Sequence, residues 1–163
     1  MVSHEILAGM ELFRDLPAEG LGAIAAMCRE SSFPAKTVFF ALDRPADNLY
    51  LLLEGRVGLT IEPVPTSPPL TISVLNAPGQ LFGWSAIVGP ANYTATAQAM
   101  TDVRALVLDG HALMNYLEAH PAVGVVVLKR LAQLISLRMS ELRRLLTATI
   151  RDYEHPPEAQ REN

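Results

Sequence analysis

The sequence predicts an α+β protein in which a small antiparallel barrel or sandwich follows short N-terminal helices and precedes one long C-terminal helix. Three observations lead there. Between Phe33 and Leu108 the apolar residues fall in short runs, separated by Gly, Pro, Asn and Asp at spacings that leave no room for crossover helices. Before this stretch, and again after Asp109, the apolar period is helical. From Ala122 to about Ile150 no proline intervenes and good helix formers dominate, giving a helix of about 29 residues and about 43 Å.

Taken in order, Leu12, Phe13 and Leu16 precede Pro17, which suits the start of a second helix carrying Leu21, Ile24, Ala25 and Cys28 at helical spacing. The strand-like runs are Val38-Phe39-Phe40, Leu49 to Leu53, Val57 to Ile61, Leu70 to Leu75, Thr94 to Ala99 and Val103 to Leu108. Glu54-Gly55 reads as a hairpin turn, where glycine supplies a positive φ. The segment 62–69 holds four prolines, each without an amide donor for a ladder, and reads as a loop. Asp109 is placed to cap a helix over about 110–118, and His120-Pro121 separates it from the long helix over 122–150. Residues 151–163 read as a polar, disordered tail.

On the long helix Leu128, Leu131, Ile135, Leu142 and Leu145 fall at heptad positions, with Arg138 interrupting one of them and Thr149 ending the row. Leu134, Leu137, Leu146 and Ile150 widen the stripe, enough for the helix to cover its own barrel and pair with a second copy. The expectation is a homodimer through this helix.

The chain has 163 residues, half of them apolar, in the range of a single domain with a real core. Its net charge of −4 is uneven: residues 1–120 hold six Lys/Arg against twelve Asp/Glu, and residues 121–150 hold five against one. The acidic body argues against nucleic-acid binding by this chain alone, and Lys129, Arg130, Arg143 and Arg144 read as a solvated face. The N-terminus has no signal-peptide pattern and no apolar run could span a membrane, so the expected location is the cytoplasm. The single cysteine, Cys28, excludes an internal disulfide and reads as a small buried helical side chain. The four histidines show no metal-ligand spacing, and neither a nucleophile elbow nor a phosphate-loop lysine is present. The reading is therefore non-enzymatic, with no metal and no resident cofactor.

Several motifs in order carry a resemblance. Leu12-Phe13-Arg14-Asp15-Leu16, the hairpin Tyr50-Leu51-Leu52-Leu53-Glu54-Gly55-Arg56-Val57, the segment Pro78-Gly79-Gln80-Leu81-Phe82-Gly83-Trp84-Ser85-Ala86-Ile87-Val88 and the following Tyr93-Thr94-Ala95-Thr96-Ala97 resemble the cyclic-nucleotide-binding sensor domain of catabolite-activator and anaerobic-regulator proteins. The resemblance implies a jelly-roll-like β-barrel over about 33–108, a sensor domain over 1–150, and a phosphate-binding cassette around Gly83. It also implies ligand-binding candidates at Phe82, Gly83, Trp84, Ser85, Ala86, Tyr93, Thr94 and Arg138.

Two positions depart from the family pattern. Trp84 stands where a glutamate usually accepts the ribose hydroxyl, and Tyr93 stands where an arginine usually pairs with the cyclic phosphate. The backbone part of the cassette is expected to remain, with Gly83 permitting a tight turn and Ser85-Ala86-Ile87 opening a short helix whose amides suit an anion. Three readings stay open: the two rings line a site for a less charged or aromatic ligand, they fill the cavity of a dimeric scaffold, or a weak nucleotide site persists. Arg138 either supplies a charge from the long helix or packs its stem with its head in solvent. The alternative function is a cyclic AMP- or cyclic GMP-responsive transcription regulator of which this chain is a fragment without its helix-turn-helix domain.

Overall fold

The computed structural model describes residues 2–62 and 68–154. Among these, helices α1 (His4–Ala8) and α2 (Ala18–Met27) flank a 3-10 turn at Glu11–Phe13. Eight strands follow: β1 (Arg29–Phe33), β2 (Val38–Phe40), β3 (Asn48–Glu54), β4 (Val57–Ile61), β5 (Leu70–Leu75), β6 (Leu81–Phe82), β7 (Thr96–Ala99) and β8 (Val103–Asp109). Helices α3 (Gly110–Ala119) and α4 (Pro121–Glu154) close the chain. The strands form two four-stranded antiparallel sheets, ordered β1-β8-β3-β6 and β2-β7-β4-β5. Odd and even hairpin arms exchanged between two sheets in this way make a jelly roll, as expected.

Local chemistry explains the boundaries. Gly55 takes φ 94°, and a Cβ there would lie 2.2 Å from the Asp102 carbonyl oxygen, so the β3–β4 hairpin closes only with glycine. The Asp109 carboxylate accepts the Ala112 amide at 2.8 Å and caps α3. Pro121 opens α4, where an absent amide donor costs nothing.

The differences from expectation have physical causes. Strand β1, Arg-Glu-Ser-Ser-Phe, was not expected, because an edge strand with one neighbour and mostly exposed side chains need not look apolar. Strand β6 is only two residues long, pairing Tyr50 with Phe82 and Leu51 with Leu81, below the length at which alternation can be recognised. Strand β7 begins at Thr96 and not Thr94: the Tyr93 amide donates to the Arg44 carbonyl and the Asp43 amide to the Tyr93 carbonyl, which ties this segment to the β2–β3 connection. Cys28 does not lie on a helix but caps the end of α2, half-buried. Its thiol is nonetheless pushed up to about 12 by burial, so it is inert rather than nucleophilic.

Helix α4 continues to Glu154, past the expected end near Ile150, so residues 151–154 are helical and not part of a tail. Residues 63–67 of the proline-rich loop and residues 155–163 of the expected tail lie outside the described residues. The chain divides after Arg130 into two compact units. The first has a core in which every buried side chain is uncharged and largely apolar, including Leu7, Leu12, Phe13, Ile24, Leu49, Leu51, Phe82, Leu106 and Leu113. In the second, α4 carries exposed Leu137, Met139, Leu145 and Leu146. Leu131 is an exception to the expected pairing row: it is 1% exposed in the monomer, so it has no surface left for a second copy.

Candidate functional site

The site is built from Gly83. This residue sits at φ 78°, and a Cβ there would come within 2.9 Å of the Asn48 carbonyl oxygen and 3.1 Å of the Phe40 ring, so only glycine lets the turn approach the start of β3. From Gly83 the chain enters a single 3-10 turn at Trp84–Ala86, where a short helix opening at Ser85 was expected. The amides of Ala86, Ile87 and Val88 donate to the carbonyls of Gly83 and Trp84 at 3.1, 2.9 and 3.0 Å. These three amides are therefore engaged within the turn. Trp84 and Ser85 are half-buried and Ala86 is buried. Below Ala86, Gly110 lets α3 begin in direct contact, since a Cβ there would lie 2.3 Å from the Ala86 carbonyl oxygen.

Tyr93 answers the cassette from the other side. Its ring stacks on Phe40 with centroids 3.8 Å apart and planes 10° from parallel. Its hydroxyl donates to the Asn48 carbonyl at 2.7 Å and accepts from the Asn48 amide at 3.0 Å. Both capacities of the phenol are therefore spent on one residue of backbone. Asn48 becomes a hub, bracketed by the Tyr93 hydroxyl and approached by Gly83. Burial raises the Tyr93 pKa, and burial followed by the neighbouring Tyr93 pushes Tyr50 up to about 12, so both phenols are neutral across the physiological range.

The barrel interior beside this hub is aromatic. Tyr50 stacks on Phe82 at 5.0 Å and 14°, Phe39 meets Phe82 edge-on at 5.1 Å, and Phe40 lies 6.2 Å from Phe82. Among the described residues no charged side chain is buried. Thus the structure gathers Phe82, Gly83, Trp84, Ser85, Ala86 and Tyr93 into one neighbourhood, while Thr94 is exposed on the turn before β7. Arg138 belongs to the second unit, where it is half-buried and burial lowers its pKa against a smaller opposing effect of Glu141. Sequence reasoning missed Phe40, Asn48 and Tyr50. Tyr50 opens the recognised hairpin motif and was within reach of inference, whereas Asn48 acts through its main chain and leaves no signal in side-chain identity.

Among the described residues no group of three or more His, Cys, Asp or Glu could hold a metal ion, and no helix is long and apolar enough to cross a membrane.

Comparison with known proteins agrees with this geometry. The family model of the cyclic nucleotide-binding domain matches residues 30–120. A CRP-like cAMP-activated global transcriptional regulator of Mycobacterium tuberculosis is 27% identical over 129 residues, 79% of this chain and 57% of the regulator, so the chain spans little more than half of that relative. A Geobacter metallireducens chain assigned to the cyclic nucleotide-binding proteins superposes with TM-score 0.76 at 34% identity, over 85% of this chain and 99% of that one. A cyclic nucleotide-binding domain from Methylobacillus flagellatus superposes with TM-score 0.75 at 26% identity, over 88% of this chain and 80% of that one.

Proposed function

The chain belongs to the cyclic nucleotide-binding domain family, and from that premise we propose that it is a non-enzymatic regulatory module whose cassette no longer recognises a cyclic nucleotide in the family's usual way. One observation carries the reading: at the position where the family pattern places arginine, the Tyr93 hydroxyl is bonded on both sides by Asn48 while its ring is stacked on Phe40. A phenol so held has neither charge nor a spare hydrogen bond for a phosphate. Trp84, in place of the glutamate, removes the acceptor for a ribose hydroxyl. Two lost charge-assisted hydrogen bonds correspond to a loss of roughly a hundredfold or more in affinity. The aromatic interior favours a filled cavity or a small aromatic, weakly charged ligand over a nucleotide.

The module works as a homodimer through α4. Val125, Ala132, Met139 and Leu146 recur every seven residues on its exposed side, with Leu128, Ile135 and Leu142 at the intervening positions, half-buried. This row keeps three residues of the expected seam and replaces the Leu131, Arg138 and Leu145 row, of which Leu131 is buried and Arg138 half-buried.

The protein has one tryptophan, Trp84, inside the cassette, so its fluorescence reports the site directly. Titration with cyclic AMP and cyclic GMP, followed by Trp84 emission and calorimetry, is expected to show no saturable binding in the micromolar range. Micromolar binding of either nucleotide overturns the reading. A second reading, the sensor part of a cyclic AMP-responsive transcription regulator, is favoured by the match to the Mycobacterium tuberculosis regulator and predicts both that binding and a helix-turn-helix encoded downstream.

A further inference from the structure

The N-terminal turn and the start of α4 meet through charge. Arg130 lies three residues after Val127 on α4, between the buried Val123 and Val127 and the buried Leu131. Gly20 of α2 makes the apolar part of this contact close, since a Cβ there would lie 3.3 Å from Val123. At Arg130 charge is added to this apolar contact. The Arg130 guanidinium divides between two carboxylates, Nη1 bonding Glu11 Oε1 at 3.3 Å and Nη2 bonding Asp15 Oδ2. The second Glu11 oxygen is taken by Arg14 at 2.7 Å. Between the two carboxylates Leu12 and Phe13 are fully buried, so the turn that presents them is pinned to the core from its other side. Asp15 sits at φ 67°, a left-handed conformation that aspartate tolerates better than most residues.

We infer that Arg130 is a positioning residue: its fork closes a charge-held latch that fastens the first turns of α4 to the N-terminal turn, and the latch opens on loss or screening of charge without opening the apolar core. The arrangement fits this role better than general stabilisation. One cation serves two anions that are four residues apart in a fixed turn, which suits a planar fork better than a point charge. Arg130 is only 26% exposed, whereas Asp15 is 67% exposed, so solvent ions reach the anionic side of the latch first. This inference does not depend on what the cassette binds.

Amide hydrogen exchange of the full chain tests it. In Arg130→Gln, amides over residues 126–130 are expected to exchange about five- to tenfold faster, with β3 and β8 unchanged. Raising salt to 1 M should produce the same local increase in the wild type and almost none in the variant. The pair Glu11→Gln with Asp15→Asn should match Arg130→Gln and add nothing to it, and Arg130→Lys, which reaches one carboxylate, should fall between. Unchanged local exchange, a salt response equal in wild type and variant, or a rise spread evenly over the barrel strands would each overturn the latch.

Discussion

Two apolar populations, one aromatic and one aliphatic, meet opposite fates in this protein. Inside the barrel, Phe39, Phe40, Tyr50, Phe82 and Tyr93 are packed against one another at ring distances of 3.8 to 6.2 Å. On α4, Val125, Leu137, Met139 and Leu146 are each 60% or more exposed. The rings find their partners within the chain. These helix side chains are unsatisfied, and the seven-residue recurrence of Val125, Ala132, Met139 and Leu146 matches what a second identical helix would present.

Variants can break each side of this contrast separately. Phe40→Ala removes the ring on which Tyr93 stacks and is expected to cost about 3–5 kcal/mol in unfolding free energy, read by urea denaturation, because the neighbouring rings cannot collapse into the gap. A loss below about 1 kcal/mol would mean that the interior is loose enough to admit a ligand. Met139→Glu with Leu146→Glu should weaken the dimer by about a hundredfold or more in sedimentation dilution series while leaving the barrel's monomeric stability unchanged. An unaltered dimer would move the interface off this face. Alkaline titration sharpens the interior side with the smallest effect. Cys28 and Tyr50 have folded pKa values raised to about 12 by burial, so the native state keeps protons that the unfolded chain releases. Their contribution is intact below the unfolded pKa values, near 9 and 10, and is lost as pH rises from there toward 12. The melting temperature should therefore fall between pH 9 and 11, and Cys28→Ser should flatten the early part of that fall, by up to ~1.4 kcal/mol per pH unit for the thiol.

Legibility followed the length of the signal. Strands β2 and β5 and the cap at Asp109 stood where alternation, turn residues and capping chemistry put them, because each is decided within a few residues. Strands β1 and β6 escaped, one because its edge position asks little of its side chains and the other because two residues carry no period. At the site, the absence of a glutamate at 84 and an arginine at 93 was visible directly. That the turn after Gly83 is 3-10 was not, since nothing in Trp84-Ser85-Ala86 distinguishes a 3-10 turn from the opening of an α-helix.

The sequence by itself determined the family, the jelly-roll order of elements, the glycine at the cassette turn and the length of an apolar final helix, because these rest on local backbone preference and apolar period. Only the tertiary structure decided what Tyr93 does, which of the α4 rows is exposed, and that Arg130 spans Glu11 and Asp15. Each of those depends on groups brought together from 45 to 119 residues apart in the chain. At such separations the partner of a hydroxyl or a guanidinium is chosen by packing, and no neighbour in sequence records the choice.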